Sequence, residues 1–217
     1  MAHHDSNLKA YYKERSPFYD RVYSYPERQD DLRFLESYIP EQFKNMNVLE
    51  IAAGTGYWSQ FIISRANSIL ATDATTEVLD QIRNRPLCES IQIKVADAYV
   101  LDGIASEYTG AFAGLWYSHI PKQRVSEFLA NLHLKILTGA TVLFVDNSKA
   151  QCNRLPISHK DEEGNTFQNR ELDDGSIHQV LKNFPTEEEL IRETEKLGKN
   201  HKFMELDNFW LFQYIAV

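Results

Sequence analysis

The chain has 217 residues, a formal net charge of −8, and 25% charged and 43% apolar residues. It is long enough to bury a core of its own, and this composition excludes a disordered chain and a binder of nucleic acid or anionic membrane that works through bulk positive charge. The two isolated cysteines, Cys88 and Cys152, provide neither a disulfide framework nor a CxxC metal site, so a reducing compartment is expected.

The N-terminal "MAHHDSNLKAYYKER" has no apolar signal core, and no apolar run reaches the length of a membrane span. The expected location is the cytoplasm. Residues 6–20 read as a helix interrupted near Pro17, with Tyr12, Arg15 and Tyr19 spaced to share one face. "RQDDLRFLESYIP" places Leu32, Leu35 and Ile39 at helical spacing, with Pro40 as its stop. "MNVLEIAA" is a buried strand, "YWSQFIISRA" a helix, "SILATDA" a second strand and "TTEVLDQIRNR" a second helix with a threonine cap. "IQIKVADA" and "AFAGLWYS" are the third and fourth strands, and His119 follows the fourth. A long helix opened by Pro121 precedes a fifth strand, "GATVLFVDNS". Strands alternating with helices predict a parallel sheet covered on both faces.

After Asp146 the pattern changes. "TFQNRELDDGSIHQVLKNF" reads as a hairpin around Asp174-Gly175, "TEEELIRETEKLG" as a capped helix ending at Gly198, and "HKFMELDNFWLFQYIAV" as two closing strands. The expected organisation is a single domain. Residues 1–45 form an N-terminal helical cap, 46–147 a nucleotide-binding core, 148–185 a hairpin insertion, and 186–217 a helix with an antiparallel edge.

Three strand ends carry acids and small residues: Glu50-x-Ala52-x-Gly54-x-Gly56, Asp73-Ala74 and Asp97-Ala98. In a doubly wound sheet, ligands bind at such ends. The third glycine of the dinucleotide fingerprint is replaced by Ser59, which disfavours a nicotinamide cofactor. An acid ahead of the glycines repels phosphate and suits a cationic, amine-bearing ligand.

"VLEIAAGTGYW", "ATDAT" and "VADAYVL" resemble motifs I, II and III of the class I methyltransferases that use S-adenosyl-L-methionine (SAM). The resemblance implies a Rossmann-like α/β fold, SAM as cofactor and S-adenosyl-L-homocysteine as product; the scattered histidines form no HxxxH or Cys/His pattern, so no metal is expected. It places Glu50 and Gly54 near the methionine moiety, Asp73 on the ribose, and Asp97 with Ala98 near the adenine. Ala52 stands where the family usually has its first glycine, and Gly56, Ala74, Trp58 and Trp116 complete the expected pocket. Tyr12, Arg15 and Tyr19 are candidates for a lid over the cofactor.

"YYKERSPFYD", "WYSHIP", "FVDNS" and "NRELDDGSIHQVLKNF" further resemble the phosphonate O-methyltransferases of the dehydrophos pathway and their relatives. That likeness implies a small anionic acceptor, with Tyr25, Arg170 and Lys182 as its binding groups. In an ideal two-residue Asp174-Gly175 turn, however, Arg170 and Lys182 point to opposite sides. His119 is the candidate general base, with a purely orienting role as the alternative. The acceptor stays open among a phosphonate, a carboxylate, a hydroxyl and an amine, and a non-catalytic SAM-binding protein is the further alternative. Neither nucleic acid nor membrane is expected as a partner, and the sequence leaves the oligomeric state open.

Overall fold

The structure, a computed structural model, describes residues 16–217. A 3-10 segment, Ser16–Tyr23, leads through Pro26–Arg28 into helix α1, Gln29–Gln42. The first half of the main sheet follows as β1 (Asn47–Ile51), α2 (Ser59–Ile62), β2 (Ser68–Asp73), α3 (Thr76–Leu79), β3 (Ile91–Val95) and β4 (Tyr108–Gly114). Then come α4 (Val125–His133) and β5 (Ile136–Asn147). The strands β6 (Ile157–Lys160), β7 (Thr166–Glu171) and β8 (Ile177–Leu181) precede α5 (Glu187–Thr194), β9 (Gly198–Glu205) and β10 (Phe209–Ala216).

Seven strands form one sheet in the order β3-β2-β1-β4-β5-β10-β9. β1 to β5 run parallel, and β10 inserts antiparallel between β5 and β9. The chain winds outward from β1 to β3, then restarts at β4 and winds the other way. The switch point therefore lies between β1 and β4, where a crevice opens at the carboxyl ends of the strands.

Period-two alternation divides the sheet's side chains between two cores. Leu49, Ala111, Val142 and Phe212 pack beneath α4 and α5, with Phe128, Leu132 and Leu190. Val48, Phe112, Leu143 and Leu211 pack on the other face, against Leu32, Leu35 and Ile39 of α1. Each buried Val, Leu, Ile or Phe among them contributes about 1.5–3 kcal/mol relative to exposure. The expected α/β sandwich with an antiparallel C-terminal edge is therefore present.

Several expected boundaries move. α1 runs through Pro40, which sits buried in its last turn and lacks the N–H that would bond the carbonyl four residues back, and the helix ends two residues later at Gln42. β4 stops at Gly114, and Trp116–His119 form a turn after Leu115 at φ 57°, so "LWYS" is not strand. The long helix is shorter than its apolar pattern because β5 already begins at Ile136. Thr75 makes no side-chain cap; the Asp73 carboxylate accepts its N–H instead. Gly198 is not a helix cap but the first residue of β9, where the Tyr214 ring lies so close that no Cβ fits.

The hairpin insertion is a separate three-stranded antiparallel sheet, β6-β7-β8. β6 has no counterpart among the expected elements. Its four residues, "ISHK", are all exposed and lack apolar alternation.

Candidate active site

The turn after β1 contains three left-handed residues, Ala52 (φ 52°), Gly54 (57°) and Gly56 (73°). Gly54 meets a second demand. A Cβ there would lie 2.9 Å from the Tyr19 hydroxyl. The Asp73 carboxylate ties two loops together, accepting from Gly54 N at 3.1 Å and Thr75 N at 2.9 Å. Burial raises the Asp73 pKa although these bonds oppose it.

Behind this turn Glu50 is buried, and Ser59 Oγ donates to it at 2.5 Å. Burial, with the Asp73 charge in addition, pushes Glu50 up to about 8 against the Ser59 bond. Ser59, which breaks the dinucleotide fingerprint, thus serves as the donor to that acid.

A cavity of about 720 Å³ opens in front of the turn. Ala52, Asp73, Ala74, Asp97, Ala98 and Trp116 form its wall. The Trp116 Nε1–H is buried there with no hydrogen-bond partner among the described residues. Tyr99, also on the wall, carries the Arg124 guanidinium 3.4 Å from its ring centroid.

A second cavity, of about 520 Å³, lies under β7 and β8. Tyr25, Arg28, Arg154, Arg170 and Lys182 line it. Tyr19, Leu115 and His119 line both cavities and so mark their junction. Arg154 bonds Glu27 at 2.6 Å and stacks on the Tyr25 ring, while the Arg28 guanidinium lies 5.3 Å from that ring's centroid.

The junction is held by a buried polar network. Lys182 Nζ donates to Ser118 Oγ at 2.6 Å and to Asp146 Oδ1 at 2.7 Å. Ser118 N donates to the other Asp146 oxygen at 2.9 Å. Lys182 holds the Asp146 carboxyl below its ordinary range although burial opposes this. Burial lowers Lys182 to about 8 despite Asp146 beside it.

His119 Nδ1 lies 2.7 Å from the Leu181 carbonyl oxygen. Only a protonated nitrogen can serve that oxygen, so Nδ1 carries the hydrogen and Nε2 is the basic nitrogen. Burial, followed by the Lys182 and Arg170 charges, holds the His119 pKa well below its ordinary value. The imidazole is neutral at pH 7.

Arg170 and Lys182 face one cavity because the hairpin loop has three residues, Asp173 to Gly175, with Gly175 left-handed at φ 82°. Arg170 therefore pairs with His178 rather than Gln179. That single step in register puts Lys182 on the Arg170 side, against the two-residue expectation.

The expected site residues separate clearly in space. Tyr19, Ala52, Asp73, Ala74, Asp97, Ala98, Trp116 and His119 line the first cavity. Tyr25, Arg170 and Lys182 line the second. Glu50, Gly54, Gly56 and Trp58 lie behind the first cavity's wall, with Trp58 packed on Phe112 and Gly114. Tyr12 and Arg15 lie outside the described residues. Arg28, Arg154, Asn147 and Gln151 join the second cavity without having been expected there. Asn147 lies within "FVDNS", but only the fold gathers these four residues. Among the described residues, no group of three or more His, Cys, Asp or Glu is placed to hold a metal, and no helix is long and apolar enough to cross a membrane.

Residues 48–139 match the family model described as a methyltransferase domain. None of the curated proteins matches the sequence. Among solved structures, the chain is similar to DhpI in complex with S-adenosyl-L-homocysteine, at 21% identity and a TM-score of 0.78, over 97% of this chain and 96% of that one. It is also similar to a DhpI–SAM–HEP complex, at 22% identity and a TM-score of 0.79, over 97% of each chain. A third similar structure is the Burkholderia thailandensis 1,6-didemethyltoxoflavin-N1-methyltransferase, at 13% identity and a TM-score of 0.63, over 100% of this chain and 90% of that one. Residues 48–139 are thus a methyltransferase domain, and the chain as a whole has the fold of the class I SAM-dependent methyltransferases.

Proposed function

We propose that this enzyme transfers a methyl group from SAM to an anionic oxygen of a small acceptor, with a phosphonate as the favoured class. One observation carries the reading: a cavity rimmed by carboxylates meets a cavity rimmed by cations at Tyr19, Leu115 and His119.

The first cavity suits SAM. Asp73 and Asp97 are hydrogen-bond acceptors for a ribose diol and an adenine amine. The Trp116 Nε1–H offers an unused donor, and the left-handed Ala52–Gly56 turn lets backbone approach the methionine end. SAM supplies an electrophilic methyl on a sulfonium. The DhpI complexes with S-adenosyl-L-homocysteine and with SAM support this assignment.

The second cavity suits an anion. Arg170 offers a planar fork of donors, and Lys182 a point charge. An oxygen that is already anionic needs no base, so the protein's work is to hold it in line with the methyl and keep water out. The neutral His119 fits an orienting role, because a group with so low a pKa is a weak base. The same neutral Nε2 side favours a second reading, a hydroxyl acceptor whose proton His119 takes. Replacing His119 by Asn separates the two: the anion reading expects a modest loss in kcat, whereas the hydroxyl reading expects loss of roughly 10²-fold or more.

Calorimetric titration with S-adenosyl-L-homocysteine and NAD tests the cofactor, and methyl transfer to alkylphosphonates tests the acceptor. Arg170→Ala is expected to raise the acceptor KM at least tenfold while S-adenosyl-L-homocysteine affinity stays within about twofold. NAD binding would overturn the cofactor assignment. An unchanged acceptor KM in Arg170→Ala would overturn the clamp, and tight SAM binding without turnover of any acceptor would favour a sensor.

A further inference from the structure

The second cavity holds, besides its cations, two buried amide oxygens. Asn147 and Gln151 line it, and Asn147 Oδ1 and Gln151 Oε1 are buried with no hydrogen-bond partner among the described residues. Asn147 is 2% exposed and Gln151 8%. The orientation of the Asn147 amide is fixed. Its Nδ2 lies 3.2 Å from Asp146 Oδ1, a carboxylate that Lys182 keeps ionised and that can only accept. The amide nitrogen must face Asp146, so the carbonyl oxygen faces away from it. The backbone N–H of Asn147 also bonds Asp146, at 2.7 Å, which holds the residue in place.

A buried carbonyl oxygen without a donor is costly, and native interiors rarely leave one so. The ionised phosphonate oxygens that the cations would hold are acceptors and cannot satisfy it. The Asn147 and Gln151 oxygens therefore call for a different part of the acceptor molecule, one that carries a hydrogen. An ammonium group is disfavoured because Arg28, Arg154, Arg170 and Lys182 already crowd the cavity with positive charge.

We infer that Asn147, supported by Gln151, is a specificity-determining residue that selects acceptors bearing a neutral O–H or N–H donor beside the anionic group. The inference rests on the anionic-acceptor reading and adds a second contact to it. A site built to bond a hydroxyl rejects the analogue that lacks one, because its own oxygen is then left buried and unpaired.

The test is binding of matched pairs to the enzyme saturated with S-adenosyl-L-homocysteine. The pairs are ethylphosphonate with 2-hydroxyethylphosphonate, and propionate with 3-hydroxypropionate. In the wild type the hydroxylated member is expected to bind about 10–100-fold more tightly in whichever anion series binds. In Asn147→Ala that advantage should fall to about twofold or less. Gln151→Ala, on the turn after β5 and away from the Asp146 network, should reduce it without endangering the fold. A merely structural Asn147 would weaken both members of a pair equally, so an unchanged ratio in both variants overturns the proposal. Equal binding of both members by the wild type overturns it as well and leaves the anion clamp standing. Binding of neither series overturns the anionic-acceptor reading and this inference together, and 2-aminoethylphosphonate binding above its hydroxyl analogue overturns the preference for a neutral donor.

Discussion

Ala52 occupies a left-handed position that L-residues reach only at a cost of about 1–2 kcal/mol. Glycine relieves that strain but loses more entropy on folding, so Ala52→Gly is expected to stabilise the protein by about 1 kcal/mol, read as a higher thermal midpoint. A lower midpoint would mean that the alanine methyl packs well enough to offset the strain. Glu50 makes a prediction with a definite sign. Its carboxyl titrates near 8, above its ordinary 4.5, so the folded chain keeps a proton that the unfolded chain has released. Stability from this group is complete below about pH 4.5 and is lost as pH rises toward 8, by about 1.4 kcal/mol per pH unit across the window. Glu50→Gln keeps an acceptor for Ser59 and removes the titration. Denaturant curves are expected to show the variant close to wild type at pH 5 and clearly more stable at pH 8; equal curves at pH 8 would mean that Glu50 is paired or solvated in solution.

At the scale of elements, the parallel half was legible because most of its strands carry an apolar run followed by an acid or a glycine. Buried parallel strands need apolar residues on both faces, so Val48–Ile51 and Val142–Val145 advertise themselves. The helices were less legible. Only Ser59–Ile62 and Thr76–Leu79 are α-helical where ten-residue helices were expected, because neighbouring turns tighten to 3-10 geometry that apolar spacing does not distinguish. The strand ends that carry Asp73 and Asp97 were readable, since ligand sites in such sheets follow topology. The second cavity was readable only in part. Arg170 and Lys182 were named, but their common orientation depends on a three-residue loop in place of a two-residue one. That choice hangs on a single glycine conformation at Gly175, and the dipeptide Asp-Gly is compatible with both. Arg28, Arg154 and Asn147 come from three separate elements, and no local pattern marks long-range convergence.

At the scale of the molecule, residues 19–28 roof both cavities, through Tyr19 at their junction and Val22, Tyr25 and Arg28 along the second. The roof is fastened at separate points. Arg85 pairs with Asp20 and donates to the Thr55 carbonyl at 2.9 Å, and Thr55 Oγ1 donates to Asp20 at 2.6 Å. Arg21 bonds Asp173 at the hairpin tip, and Arg154 bonds Glu27. The Arg21 and Arg154 pairs are solvent-exposed and so are weak ties. The Arg85 tie is better shielded, with its side chain 18% exposed, and it anchors the roof to the glycine turn itself. Local opening draws on the weakest ties and not on the core, so the roof should open without global unfolding. Arg85→Gln is therefore expected to accelerate dissociation of S-adenosyl-L-homocysteine about 5–30-fold, the equivalent of one or two kcal/mol, in stopped-flow displacement. The thermal midpoint of the ligand-free protein should move by only about 2 °C or less, because the two cores that set it contain neither Arg85 nor Asp20. A large drop in that midpoint with an unchanged dissociation rate would make Arg85 a strut of the fold and leave the roof without a latch on the cofactor side.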